Sequence, residues 1–259
     1  MAAPPTPPPP RALLEGKTVL VTAAAGSGIG GALAWRAAEE GATLLLSDQH
    51  ARRLEETADA IAANGHPRPL TMTCDVTDEA QVRALVADAE ARLGRIDVLV
   101  NNAGLGGAAP VHEMTDEQWF RVIDVTLNSV FRMTRAALPL MYAAGRGAIV
   151  NNASVLGWRA QKLQAHYAAA KAGVMAFTRC AAMEAAEHGV RINAVAPSLA
   201  MHAALSKVTP PGLLDELVGR EAFGRAAEPW EIANVMIFLA SDLSSYMTGE
   251  VLSASSQHA

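Results

Sequence analysis

The chain has 259 residues, 51% of them hydrophobic and 18% charged, enough to bury one full α/β core. Its net charge of −5 at pH 7 provides no electrostatic footprint for nucleic acid or for an anionic membrane surface. The two cysteines, Cys74 and Cys180, stand far apart without a metal-binding spacing, which argues against a disulfide framework or a zinc site and fits a reducing cytoplasm.

The opening MAAPPTPPPP has neither the basic nor the apolar region of a secretion signal, and its prolines lack the amide hydrogens that a helix or strand uses. Residues 1–12 are expected to form a disordered, Pro-rich tail ahead of one globular domain over residues 13–259. No apolar run reaches the ~18–20 residues of a membrane span. A β-branched apolar run at 17–22 predicts a strand, and an Ala-rich pattern at 29–40 predicts a helix that stops at Gly41. The unit repeats as a strand at 42–47, a helix at 50–63, a strand at 70–74 and a helix at 78–92. Further strands are predicted at 97–100, 148–151, 190–195 and 250–254. Residues 115–144 and 164–188 read as helices, with Pro139 expected to bend or break the first. The weakly periodic stretch 198–228, with its Thr209-Pro-Pro-Gly212, is expected to be a mobile flap over the site. Strands alternating with such helices imply βαβ units: a doubly wound parallel sheet of the Rossmann type, three-layer α/β/α, in a single domain.

Between the first strand and helix lies VTAAAGSGIG, residues 21–30, which reads in two registers. Gly26-x-Gly28-x-x-Gly31 is the ordinary dinucleotide fingerprint, whereas ending at Gly30 the loop is a lengthened, glycine-poor form of another pattern. In either register glycines let backbone amides approach a pyrophosphate, and the helix N-terminus adds about half a positive charge. On this motif alone a methyltransferase that binds S-adenosylmethionine remains open. Asp48 ends the second strand near the offset at which an acidic side chain meets the adenosine ribose; it would repel a 2′-phosphate and favour NAD over NADP. Capping of the next helix is the alternative use of Asp48, and Arg52 and Arg53 lie one turn later, where they could meet a 2′-phosphate.

Tyr167-Ala-Ala-Ala-Lys171 places a phenol and an ammonium at i and i+4, on one helix face. A phenol of pKa about 10 is a poor base near neutrality, and a neighbouring cation favours its anion. Tyr167 is therefore the candidate general acid/base. Asn101-Asn-Ala-Gly104 and Asn151-Asn-Ala-Ser154 follow successive strands, at the carboxyl ends where open α/β sheets bind ligands.

Jointly, the glycine loop, the Asn-Asn-Ala-Gly turn, Ser154 and Tyr-x-x-x-Lys resemble the short-chain dehydrogenase/reductase family over residues 15–250. The resemblance implies a cytoplasmic homotetramer or homodimer that interconverts a secondary alcohol and a ketone, with hydride passing directly between substrate carbon and nicotinamide, and with no metal. It implies that Ser154 hydrogen-bonds the substrate oxygen, that Tyr167 exchanges the hydroxyl proton, and that Lys171 lowers the pKa of Tyr167 and binds ribose. Cofactor contacts are implied for Thr22, Ala24, Gly26, Ser27, Gly28, Ile29 and Gly30 in the loop, and for Asp48 and Gln49 after the second strand. Asp75 and Val76 match adenine contacts, Asn102, Ala103 and Gly104 the central turn, and Pro197, Ser198 and His202 the nicotinamide side. Trp158, Gln164 and His166, with Leu163, lie between Ser154 and Tyr167, where the substrate has to bind.

Four departures from the family pattern stand out. Thr126 occupies the place of a relay Asn and its hydroxyl is expected to support the proton relay as a catalytic residue, whereas Asn128, about 200° further round a helix, does not replace that Asn. Ser198 and His202 replace a Gly and a Thr, and the C-terminus lacks Asp-Gly-Gly. Thr22 stands one residue further from Gly28 than in the family's Thr-Gly-x-x-x-Gly-x-Gly, with Ala24 near the first glycine's place and Gly26 expected to absorb the insertion. AAAGSGIG, NNASVLGWRAQ, HYAAAKAGVMA, EAFGRAAEPWE and the Gln257-His258 ending resemble one actinobacterial subgroup of steroid catabolism. That resemblance implies a bicyclic, steroid-derived hydroxyacyl-CoA as substrate, with Arg159, Lys162 and Lys207 as candidate partners for its phosphates. A 3-ketoacyl reductase using NADP(H) has the same motif set and is the alternative enzyme. A non-catalytic NAD-binding redox sensor is the alternative from another class, and its expected mark is loss of the Tyr or Lys retained here.

Overall fold

The computed structural model describes residues 5–201 and 211–257. In chain order the elements are β1 (Thr18–Thr22), α1 (Ile29–Glu39), β2 (Thr43–Asp48), α2 (Ala51–Ala63), β3 (Leu70–Thr73), α3 (Glu79–Leu93), β4 (Val98–Asn101) and α4 (Asp116–Ile123). They continue through a π-helical turn (Asp124–Asn128), α5 (Ser129–Ala144), β5 (Gly147–Asn152), α6 (Ala165–Ala186), β6 (Val190–Pro197), α7 (Pro211–Gly219), α8 (Pro229–Ala240) and β7 (Val251–Ala254). Seven parallel strands form one sheet in the order β3-β2-β1-β4-β5-β6-β7.

Alternation along each strand supplies two cores. Val19 and Val21 of β1 pack with Leu44, Leu46, Val98 and Val150 beneath α1, α2 and α8, whereas Leu20, Leu45, Leu99 and Ile149 pack beneath α3, α5 and α6. Strands buried on both faces read as continuous apolar runs, as Thr-Val-Leu-Val-Thr does. The strand order reverses between β1 and β4, and that switch point opens the crevice in which ligands bind.

Pro139 does not break its helix: α5 runs through it to Ala144, with Gly145 as the C-cap. Pro139 and Arg135, whose carbonyl loses its usual amide partner, both lie on the exposed face, where water replaces that bond. The irregularity falls instead at the π turn, upstream. Part of the expected flap is the helix α7, while residues 202–210 lie outside the described residues. The N-terminal segment is fastened earlier than expected, since the amides of Arg11 and Leu13 donate to Glu40 Oε2 at 2.9 and 3.0 Å and Leu14 is buried. Residues 5–10 are exposed coil.

Candidate active site

The carboxyl ends of β1, β4, β5 and β6 meet at the switch point. Thr22 ends β1 with a saturated hydroxyl, which donates to Val100 O at 3.3 Å and accepts the amides of Asn102 and Ala103 at 3.0 and 3.3 Å. Its side chain therefore positions the loop and has no capacity left for a cofactor, which corrects the expectation for Thr22. Ala23, not Ala24, takes the place of the family's first loop glycine: Ala23 has φ +50°, whereas the Ala24 side chain is buried in the core and its amide donates to Ser47 O at 3.0 Å.

Each loop glycine has its own reason. Gly26 has φ +83° and donates its amide to Thr57 Oγ1 at 3.0 Å. A Cβ at Gly30 would lie 2.2 Å from Ala23 O and 2.4 Å from Asn102 Nδ2, and one at Gly31 would lie 1.8 Å from Gly26 O. Gly28, the N-cap of α1, faces open space, and the amides of Ser27 and Gly28 donate to no group among the described residues. Free amides at a helix N-terminus beside a cradle without side chains suit a pyrophosphate, so a dinucleotide fits. Both registers contain structural truth: Gly26, Gly30 and Gly31 close the loop, and Gly28 leaves it open.

Across β4 and β5 the doubled asparagines form a ladder that sequence reading did not assign. Asn102 Nδ2 donates to Ala23 O at 3.0 Å and Thr22 O at 3.3 Å, and its Oδ1 accepts Asn152 Nδ2 at 2.9 Å. Deeper in, Asn101 Nδ2 donates to Asn151 Oδ1 at 2.9 Å, and Asn151 Nδ2 donates to Thr178 Oγ1 at 2.9 Å. The repeated Asn-Asn after two neighbouring strands was the available signal. Ser154 caps a 3₁₀ turn (Val155–Gly157) through Leu156 N at 3.2 Å. Tyr167 and Lys171 project from the first turns of α6, with Lys171 Nζ 5.5 Å from the centre of the Tyr167 ring and donating to the Asn152 carbonyl.

Burial pushes the Tyr167 phenol above its ordinary pKa, and a hydrogen bond with Ser154 partly offsets this. Lys171, 2% exposed, is pushed down to about 7 by burial. Desolvation is the larger influence on both groups in this geometry.

A family model described as enoyl-(acyl carrier protein) reductase matches residues 23–256. The chain is 57% identical to a crystallised short-chain dehydrogenase from Mycobacterium smegmatis, at a TM-score of 0.88 covering 98% of each chain. It belongs to the short-chain dehydrogenase/reductase family. This family member is also 64% identical over 247 residues, 95% of this chain and 94% of the relative, to a Mycobacterium tuberculosis protein named (5R,7aS)-5-hydroxy-7a-methyl-1-oxo-2,3,5,6,7,7a-hexahydro-1H-indene-carboxyl-CoA reductase. To a 3-oxoacyl-[acyl-carrier-protein] reductase of Thermotoga maritima it is 40% identical over 240 residues, 92% of this chain and 96% of the relative. The protein is an oxidoreductase that uses a nicotinamide dinucleotide.

Other positions of this short-chain dehydrogenase/reductase differ from expectation. Thr126 is fully buried in the π turn, where its hydroxyl donates to Leu105 O at 3.1 Å and accepts Leu105 N at 3.0 Å. Its proton is thereby committed to the turn after β4, so Thr126 braces Leu105 where the relay Asn was expected to be replaced. Asn128 donates to Asp124 Oδ1 at 2.9 Å, away from the site. Asp48 accepts the amides of Ala25 and His50 at 3.1 and 3.0 Å, so it fastens the glycine loop to the turn ahead of α2, whose N-cap is His50. Gln49 is exposed beside it; Asp75 is exposed after β3, and Val76 is buried there. Pro197 ends β6, and the Ser198 amide is taken by Ala254 O at 3.2 Å.

On the substrate side Trp158 is 51% exposed and Gln164 half-buried. His166 does not line an open surface: it is 2% exposed, its Nδ1 has no partner, and a Cβ at Gly107 would lie 2.9 Å from its Nε2. Burial pushes its pKa down, which favours the neutral ring. Leu163, at φ +67°, accepts the Ala109 amide at 3.1 Å and so joins the segment after β4 to the segment before α6. His202 and Lys207 lie outside the described residues. Among the described residues no His/Cys/Asp/Glu cluster suits a metal, and no helix is long and apolar enough to cross a membrane.

Proposed function

We propose that this enzyme is an NAD-dependent dehydrogenase/reductase that interconverts a secondary alcohol and a ketone on a bicyclic, steroid-derived hydroxyacyl-CoA, in the dismantling of steroid rings C and D. The observation that carries the substrate is the 64% identity, across 95% of the chain, to the indene-carboxyl-CoA reductase. When bound, the dinucleotide would supply the hydride acceptor for oxidation and the hydride donor for reduction. Ser154 Oγ, beside the Tyr167 hydroxyl, holds the substrate oxygen, and in oxidation Tyr167, as phenolate, takes the hydroxyl proton as hydride leaves the carbinol carbon. In reduction the same phenol, kept protonated by burial, returns that proton to the ketone oxygen. Lys171 binds the nicotinamide ribose and, when protonated, stabilises the phenolate. Gly28 and Ser27 receive the pyrophosphate, Asp48 takes the adenosine ribose hydroxyls, and Asp75 and Val76 flank adenine. Asn102, Ala103 and Gly104 form the turn beneath the nicotinamide ribose, with Ile29, Pro197 and Ser198 around it. Trp158 and Gln164 face the ring system. Exposed Phe120 and Phe131 on α4 and α5 support assembly into a homotetramer or homodimer, and the two free cysteines support a cytoplasmic setting.

A 3-oxoacyl reductase using NADP(H) is the second reading, favoured by the 40% identity to the Thermotoga protein. Turnover of the purified enzyme with NAD(H) and NADP(H) on the hydroxy- or oxo-hexahydroindene carboxyl-CoA and on 3-oxoacyl-CoA separates the two. The highest kcat/KM is expected for the bicyclic ester with NAD(H); a higher value for 3-oxoacyl-CoA with NADPH would reverse the assignment.

A further inference from the structure

Most arginines of this chain are paired with carboxylates, among them Arg36, Arg68, Arg132 and Arg225. Arg159 is different. It lies between Ser154 and Tyr167, next to the exposed Trp158, and its guanidinium donates to two neutral oxygens, the Gln257 side-chain Oε1 and, at 3.4 Å, the Gln257 carbonyl. No carboxylate lies within ion-pair distance of it among the described residues.

Gln257 is in turn held by hydrogen bonds. Its Nε2 donates to Glu221 Oε1 at 2.8 Å, its amide donates to Ser255 Oγ at 3.0 Å, and Ser256 Oγ donates to Glu221 Oε2 at 2.7 Å. Glu221 is 4% exposed and also accepts Leu199 N at 3.3 Å, which anchors the tail to the carboxyl end of β6. The Glu221 carboxylate is thus engaged by neutral donors, and Arg159 reaches it only through the Gln257 amide, with no direct ion pair among the described residues. A guanidinium has five N–H groups, so one fixed by neutral acceptors keeps donors and a full charge for an anion, with its side-chain entropy already lost.

We propose that Arg159, oriented by the C-terminal Gln257, is the docking cation for the phosphates of the coenzyme A moiety of the substrate. This rests on the acyl-CoA reading above. Arg159 touches the substrate, and Gln257 is a positioning residue that acts through it. Lys162, exposed and unfixed, lacks such support.

The test is equilibrium binding of coenzyme A by calorimetry, with the dinucleotide pocket saturated with NAD. Arg159→Ala is expected to weaken coenzyme A about tenfold, as loss of a charge-assisted contact does. Arg159→Gln, which keeps an amide donor toward Gln257 and removes the charge, is expected to match it, and it carries the test if Arg159→Ala does not fold. Gln257→Ala should weaken binding severalfold in the wild-type background and leave it unchanged in the Arg159→Ala background. No coenzyme A binding to the wild type, equal affinity in all variants, or an equal Gln257→Ala effect without Arg159 would overturn the proposal. Turnover reads the underlying function separately: an enzyme that binds coenzyme A through Arg159 but turns over only CoA-free alcohols loses the proposed substrate and keeps this site. One that turns over the CoA ester independently of both residues keeps its substrate and loses the site.

Discussion

Asn152 donates its side-chain amide to Asn102 at 2.9 Å, while Asn152's own carbonyl accepts the ammonium of Lys171. With Asn102 bonded onward to Ala23 O, one chain of contacts runs from the glycine loop to the proposed acid/base pair. Asn102→Ala leaves the Thr22 and Ala23 carbonyls and the Asn152 amide without partners. A loss of about 1–3 kcal/mol in urea unfolding is expected, together with weaker dinucleotide binding. Wild-type dinucleotide affinity in this variant would mean that the loop holds its shape alone.

Gly28 and Gly30 are expected to fail in opposite ways. At Gly30 a Cβ meets backbone at 2.2 Å, so Gly30→Ala should destabilise the fold by roughly 1–3 kcal/mol. At Gly28 a Cβ meets nothing within the protein, so Gly28→Ala should melt like the wild type and yet lose dinucleotide affinity by about tenfold or more. Thermal melts paired with dinucleotide titrations separate the two; equal behaviour would show that Gly28 does not line the cradle.

Tyr167→Phe removes the proton carrier and little volume. kcat should fall by about two to four orders of magnitude with dinucleotide affinity retained. Turnover within threefold of wild type would take Tyr167 out of its role.

Lys171 makes a pH prediction with a definite sign. Its folded pKa of about 7 lies below the unfolded value of roughly 10.4, so between these values the unfolded chain holds a proton the folded chain has released. Stability contributed at this site therefore rises with pH through that window, and the burial penalty is fully present below about 7. In the dinucleotide-free protein, Lys171→Met should be more stable than wild type at pH 7, with the gap closing toward pH 10. A gap that does not change with pH would place the penalty elsewhere.

Asp48→Asn keeps an acceptor for one of the two amides and removes the charge. The ratio of kcat/KM for NAD over NADP should fall by about tenfold or more, with Arg53, beside Gly26 and Ser27 in a cavity of about 490 Å³, receiving the 2′-phosphate. An unchanged ratio would leave Asp48 as a loop fastener only.

The order of strands and helices, the carboxyl-end placement of the asparagine turns, and the Tyr167–Lys171 pair were legible in the sequence because each rests on a short-range period or an i,i+4 spacing. The helix α8 was not, since Pro-Trp-Glu-Ile-Ala-Asn-Val-Met-Ile-Phe-Leu-Ala is apolar on nearly every side and shows no clear stripe. Tertiary structure alone decided which polar atoms are already taken. Thr126 uses its hydroxyl on Leu105, Thr22 saturates itself between β1 and β4, and His166 packs against Gly107. Arg159 finds its fixing partner 98 residues away. Periodicity is a property of neighbours along the chain, whereas hydrogen-bond allocation and desolvation depend on which chain ends the sheet brings together. The chemistry of this site was written locally, and its electrostatics were set by the fold.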